Sequence, residues 1–172
     1  SVTGDFMCEV ALPNREIRLI YNKEILQKFS QIIPVAASIS IQEALYTGNA
    51  SSVKTELHKL LRESVSYYDT AGDNFYHGLV LGLCAAMSDR YYVTSNRESG
   101  YGRYDIQLMP RKNDFPGILI ELKAMKDCDH LKNLAAEALQ QIKDQSYAAE
   151  MQAKGITSIC KYGVAFSGKY VE

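Results

Sequence analysis

The chain has 172 residues, of which 47% are hydrophobic and 23% charged, and its formal net charge is −1. That length is enough for one domain with a real apolar core, with room for a small appendage. The near-zero charge excludes a broad positive field, so any contact with nucleic acid has to come from a local patch or from neighbouring domains.

Residues 6–12 (Phe-Met-Cys-Glu-Val-Ala-Leu) read as a strand that Pro13-Asn14 breaks. Ile17, Ile20, Tyr21, Ile25 and Phe29 recur at three- and four-residue steps. They predict a helix over about 15–32, which Pro34 ends. A second helix is expected from Ser40 to Tyr46, stopping near Gly48. A third is expected from Ser52 to about Tyr68, with Leu57, Leu60, Leu61 and Val65 on one stripe and Ser52 as its cap. Asp73 reads as the cap of a fourth helix, from Asn74 to about Ser88, apolar around so much of its circumference that it should be buried.

After Arg90 the pattern changes. Residues 91–95 read as a strand, 96–102 as a polar glycine-bearing loop, and 103–109 and 117–124 as two strands around the turn-rich segment 110–116. A long helix over about 131–153, closed by Gly155, precedes a last strand over 157–167. The order is helices followed by β-β-β-α-β, an α/β arrangement.

The most apolar stretch, Gly78 to Met87, is ten residues long, too short for the ~20 of a membrane-crossing helix. Four scattered cysteines without a CxxC pair favour a reducing, cytoplasmic setting. With no signal peptide and an abrupt start at Ser1, the chain reads as a piece of a longer polypeptide.

Asp105, Glu121 and Lys123 are the candidate chemistry. Glu121 and Lys123 are two apart on one predicted strand and therefore share a face. If 103–109 and 117–124 pair as a hairpin, Asp105 joins them. Two carboxylates and an ammonium on one patch suit a divalent metal beside an activated water. The alternative is a solvated edge strand with a cross-strand ion pair. The apolar lead-in Ile118-Leu119-Ile120 argues against it, because such runs mark strands covered on both faces.

Three strings extend this pattern: Ser95 to Ile106 (Ser-Asn-Arg-Glu-Ser-Gly-Tyr-Gly-Arg-Tyr-Asp-Ile), Asn74 to Leu83 (Asn-Phe-Tyr-His-Gly-Leu-Val-Leu-Gly-Leu) and Tyr162 to Lys169 (Tyr-Gly-Val-Ala-Phe-Ser-Gly-Lys). Together with D-x(n)-E-x-K, they resemble the PD-(D/E)XK nuclease superfamily. More narrowly, they look like a bacterial branch usually found C-terminal to an AAA-type ATPase-like domain. The resemblance implies a restriction-endonuclease-like core, a central mixed sheet flanked by helices in the order α-β-β-β-α-β, over 71–172, with 1–70 as an N-terminal strand and helical extension. It implies a nuclease that cuts DNA, with RNA left open. Asp105, Glu121 and the backbone carbonyl of Leu122 would hold Mg²⁺, or Mn²⁺ in its place. Lys123 would orient the attacking water.

Further residues carry two readings each. On the helix over 131–153, Leu131, Ala135, Ala138 and Ile142 make an apolar face. Gln141 lies on its flank, whereas Gln140 points nearly opposite. Gln141 also matches a motif glutamine of that branch; its alternative is an amide hydrogen-bonded at the core boundary. Tyr147 matches a family tyrosine or simply packs. His77 is either a substrate contact or a buried, hydrogen-bonded histidine. Arg97 and Arg103 suit phosphate contacts, and surface salt bridges explain them as well. Arg111-Lys112 reads as a solvated hairpin tip, with DNA contact as its alternative. The chain holds no GxxxxGK[ST], GxSxG or HExxH motif, so P-loop ATP hydrolysis and the chemistries of the other two are not indicated. A second functional class remains open: a catalytically silent module of the same fold that binds nucleic acid or protein beside an ATPase-like domain.

Overall fold

A computed structural model describes residues 34–64, 73–99, 102–112, 114–126, 128–145 and 147–172. The strand expected over 6–12 and the helix over 15–32 lie outside the described residues, as does the end of the third helix beyond Ser64.

The described chain opens with α1 (Val35–Tyr46) and α2 (Ala50–Ser64). The first starts five residues earlier than its sequence pattern suggests, directly after Pro34, whose carbonyl accepts the Ser38 N–H at 3.1 Å. Proline suits this place because it needs no intrahelical donor there. Gly48, at φ 75°, turns the chain out of α1. Asn49 then caps α2, its side-chain oxygen accepting the Ser52 N–H at 3.1 Å. Ser52 is therefore a residue of the first turn and not the cap, since the asparagine three positions earlier already satisfies that donor.

Next comes α3 (Asp73–Ala85), which dissolves into turns before Arg90 and so ends short of Ser88. Strands β1 (Tyr91–Ser99), β2 (Gly102–Pro110) and β3 (Gly117–Ala124) follow, then helices α4 (Leu131–Asp144) and α5 (Ala149–Ala153), and finally β4 (Ile159–Ser167) and β5 (Tyr170–Val171).

Among the described residues the sheet is five-stranded and mixed, in the order β1-β2-β3-β4-β5, with only the β3–β4 pair parallel. Two expectations are corrected here. Residues 96–99, read as loop, continue β1, with Arg97 opposite Tyr104, Glu98 opposite Arg103 and Ser99 opposite Gly102. A long antiparallel partner recruits them despite their polar composition. The helix over 131–153 is interrupted between Asp144 and Ala149.

Alternation along β3 separates two cores. Ile118 and Ile120 point into a cluster with α1, α2 and α3, alongside Leu45, Leu57, Leu61, Leu83, Leu108 and Phe166. Leu119 points the other way, into a smaller cluster under α4 and α5 with Ile142, Tyr147 and Met151. All three residues of the run are at most 1% exposed, as a strand covered on both faces requires. The larger cluster also satisfies a helix end: Tyr162 donates its hydroxyl to the carbonyls of Ala44 (3.2 Å) and Leu45 (2.7 Å), near the C-terminus of α1.

Candidate active site

The second face of β3 changes character after Leu119. Glu121 and Lys123, next on that face, lie beneath α4, and the Lys123 Nζ is 3.7 Å from Glu121 Oε1. Strand β2 supplies Asp105. The β2–β3 ladder runs Leu108↔Ile118, Gln107↔Leu119, Ile106↔Ile120, and one further step sets Asp105 against Glu121. Here the carboxylate takes over from the backbone: Leu122 N–H donates to Asp105 Oδ2 at 2.8 Å. One aspartate thereby ties β2 to the point of β3 where the acidic and basic residues sit.

Helix α4 adds Gln141. Its Nε2 donates to Glu121 Oε1 at 2.5 Å, and its Oε1 accepts from Lys123 Nζ at 2.7 Å. The amide bridges the two charged groups, with its donor toward the anion and its acceptor toward the cation. Gln140 is exposed and donates instead to Asp144 at 2.7 Å, one helical turn along. The helix reaches this depth because β4 carries glycine at 163, the register partner of Glu121. A Cβ there would run into the backbone of Ala135 and Leu139. Gly163 was not singled out from the sequence, although a glycine within an apolar strand is itself a signal of close backbone approach.

Glu121 is 3% exposed. Burial, and then the nearby Asp105 charge, push its pKa from 4.5 up to about 7, with Lys123 opposing the rise. One of its oxygens, Oε2, is buried with no hydrogen-bond partner among the described residues. Leaving a carboxylate oxygen so placed is costly, and a cation is the partner that such an atom fits. Among the described residues, no three His, Cys, Asp or Glu side chains form a group able to hold a metal. A metal here would therefore draw on Asp105, Glu121, backbone oxygen and water. That hard-oxygen set, with one or two carboxylates, is the kind Mg²⁺ takes.

The remaining candidates fall into two groups. His77, half-buried on α3, has Nε2 3.4 Å from the Asp105 carbonyl oxygen, so it touches the backbone of the aspartate strand. Arg97 and Arg103 are placed in the β1–β2 hairpin by their backbone register alone. At the far end of that hairpin, Arg111 stacks its guanidinium 3.9 Å from the centre of the Tyr92 ring and donates to the Ser88 carbonyl at 2.9 Å.

A sequence model of the PD-(D/E)XK nuclease superfamily matches residues 71–172, from just before α3 to the last residue given. The chain belongs to this superfamily. No curated protein matches it. The mixed sheet with helices on both faces is the restriction-endonuclease-like fold of PD-(D/E)XK proteins, and the match takes in His77, Asp105, Glu121, Lys123 and Gln141. Helices α1 and α2 precede the matched segment yet share the larger core with it. No described helix is long and apolar enough to cross a membrane.

Proposed function

We propose that this PD-(D/E)XK protein is a metal-dependent nuclease that hydrolyses phosphodiester bonds, with DNA as its substrate. The observation that carries the reading is Glu121: a buried carboxylate, beside a second carboxylate and a lysine, with one oxygen lacking a partner among the described residues. Superfamily membership supplies the reaction class.

In this reading Asp105, Glu121 and the Leu122 carbonyl hold Mg²⁺ or Mn²⁺. The ion supplies Lewis-acid polarisation of the phosphate ester and acidifies bound water. Lys123, held by Gln141, positions the attacking water and offsets negative charge that grows on the phosphate. Gln141 fixes the two relative to each other, its Nε2 on Glu121 and its Oε1 on Lys123. His77 steadies the Asp105 backbone from α3, and Arg97 and Arg103 contact the phosphate backbone. Residues 71–172 form the nuclease core, with α1 and α2 packed on it. In the full-length chain an ATPase-like domain precedes this segment, and the protein works in the cytoplasm.

The deciding experiment incubates the protein with plasmid, single-stranded DNA and RNA, with Mg²⁺, with Mn²⁺ and with chelator. Cleavage should need the metal and fall by about 10²–10³-fold or more in Asp105→Ala and Glu121→Ala, a loss on the scale of removing a preorganised electrostatic group. Lys123→Ala should lose cleavage while still binding metal by calorimetry. Metal-dependent cleavage undiminished in both carboxylate variants would overturn the assignment. Absence of cleavage, with Asp105-dependent nucleic-acid binding retained, would favour a silent binding module.

A further inference from the structure

The break between α4 and α5 has its effect on one side chain, Tyr147. On an unbroken helix, residue 147 would sit about 120° around the axis from residue 141 and ~9 Å further along. The turn after Asp144 instead folds Tyr147 back, 1% exposed, among Met109, Leu119, Ile142 and Met151. Its hydroxyl oxygen comes to lie 3.4 Å from Gln141 Nε2.

That nitrogen carries two protons. One goes to Glu121 Oε1 at 2.5 Å, and Tyr147 is placed to accept the other. With Lys123 on the amide oxygen, every arm of the Gln141 amide is engaged. At 3.4 Å the tyrosine bond is long, so its effect is on orientation more than on energy. A rotated amide would set its oxygen against the Glu121 carboxylate and its N–H groups against the Lys123 ammonium, two repulsive contacts.

We infer that Tyr147 is a positioning residue, whose hydroxyl holds the Gln141 amide in the one orientation that bridges Glu121 and Lys123. It rests on the nuclease reading only for its consequence in turnover. Tyr147 is buried beneath the site and touches no substrate, so it acts through Gln141 on kcat and leaves KM alone.

Two measurements test this. The first needs no activity: the Gln141 side-chain amide is followed by NMR in the metal-free protein, with the exposed Gln140 amide as control. Tyr147→Phe should shift the Gln141 amide protons and speed their exchange, leaving Gln140 unchanged. Unaltered Gln141 signals would overturn the inference. Should the variant not fold, the wild type decides alone: an Overhauser contact between the Gln141 amide protons and the Tyr147 ring is expected, and its absence is fatal. The second is a mutant cycle. Tyr147→Phe should lower kcat about 2–10-fold, the scale of one neutral hydrogen bond, with KM unchanged, and should cost nothing further in a Gln141→Ala background. An equal loss in both backgrounds would mean simple packing and refute the role. A wild type without cleavage would sink the nuclease reading, while the NMR result would still decide the contact.

Discussion

The two faces of the sheet differ in kind. On the side of α1, α2 and α3, strand β3 presents Ile118 and Ile120 to a continuous apolar cluster, in which Tyr162 holds the carbonyls of Ala44 and Leu45. On the side of α4 the same strand presents Leu119, then Glu121 and Lys123, and the apolar packing gives way to a buried carboxylate with a free oxygen among the described residues. Strand alternation allows both at once. One face supplies stability that the other, with a charge held out of water, spends.

Substitutions can test that contrast, beginning with the largest expected change in stability. Ile118→Ala on the apolar face should cost about 2–5 kcal/mol by denaturant unfolding, as large-to-small core changes do, without altering metal affinity. A parallel loss of metal binding would show that the two faces are not separable.

Glu121→Gln should act in the opposite direction. The glutamate has a folded pKa of about 7 against an ordinary 4.5, so between those values the folded protein binds more protons than the unfolded chain. Stability of the metal-free wild type should thus rise as pH falls from about 7 towards 4.5, and the penalty should be fully present above pH 7. Such a shift corresponds to about 3 kcal/mol as an upper figure. Glu121→Gln should recover part of it at pH 8 and flatten the profile. A wild-type profile already flat between pH 5 and 8 would contradict this picture of the polar face.

Gly163→Ala should push α4 outward and cost about 1–3 kcal/mol, the scale of overpacking, with a loss of cleavage as Gln141 withdraws from Glu121 and Lys123. Unchanged cleavage at reduced stability would separate helix depth from the site. Gln140→Ala, one residue from Gln141 but exposed and bonded to Asp144 within its own helix, should change stability by no more than about 0.5 kcal/mol and leave activity intact.

Much of the architecture was legible in residue order. The apolar run before Glu121 announces a strand covered on both faces, and the three- and four-residue spacing on α4 separates Gln141 from Gln140 before any coordinates are known. Boundaries were less legible, because they depend on partners distant in sequence. Residues 96–99 look like loop until Gly102 to Tyr104 pair with them. Ser52 looks like a cap until Asn49 is seen to hold its N–H. The interruption after Asp144 carries no proline or glycine to announce it.

Local pattern was therefore enough for the class of fold, for the shared face of Glu121 and Lys123, and for the helix flank that bears Gln141, because side-chain direction follows from the period of strand and helix alone. Tertiary structure decided the rest. Asp105 takes the Leu122 N–H, Gln141 bridges acid and lysine, Gly163 admits α4, and Tyr147 turns inward. Each of these is a meeting of segments far apart in the chain or separated by an unannounced turn. Their distances are set by packing between elements, which periodicity within one element does not encode.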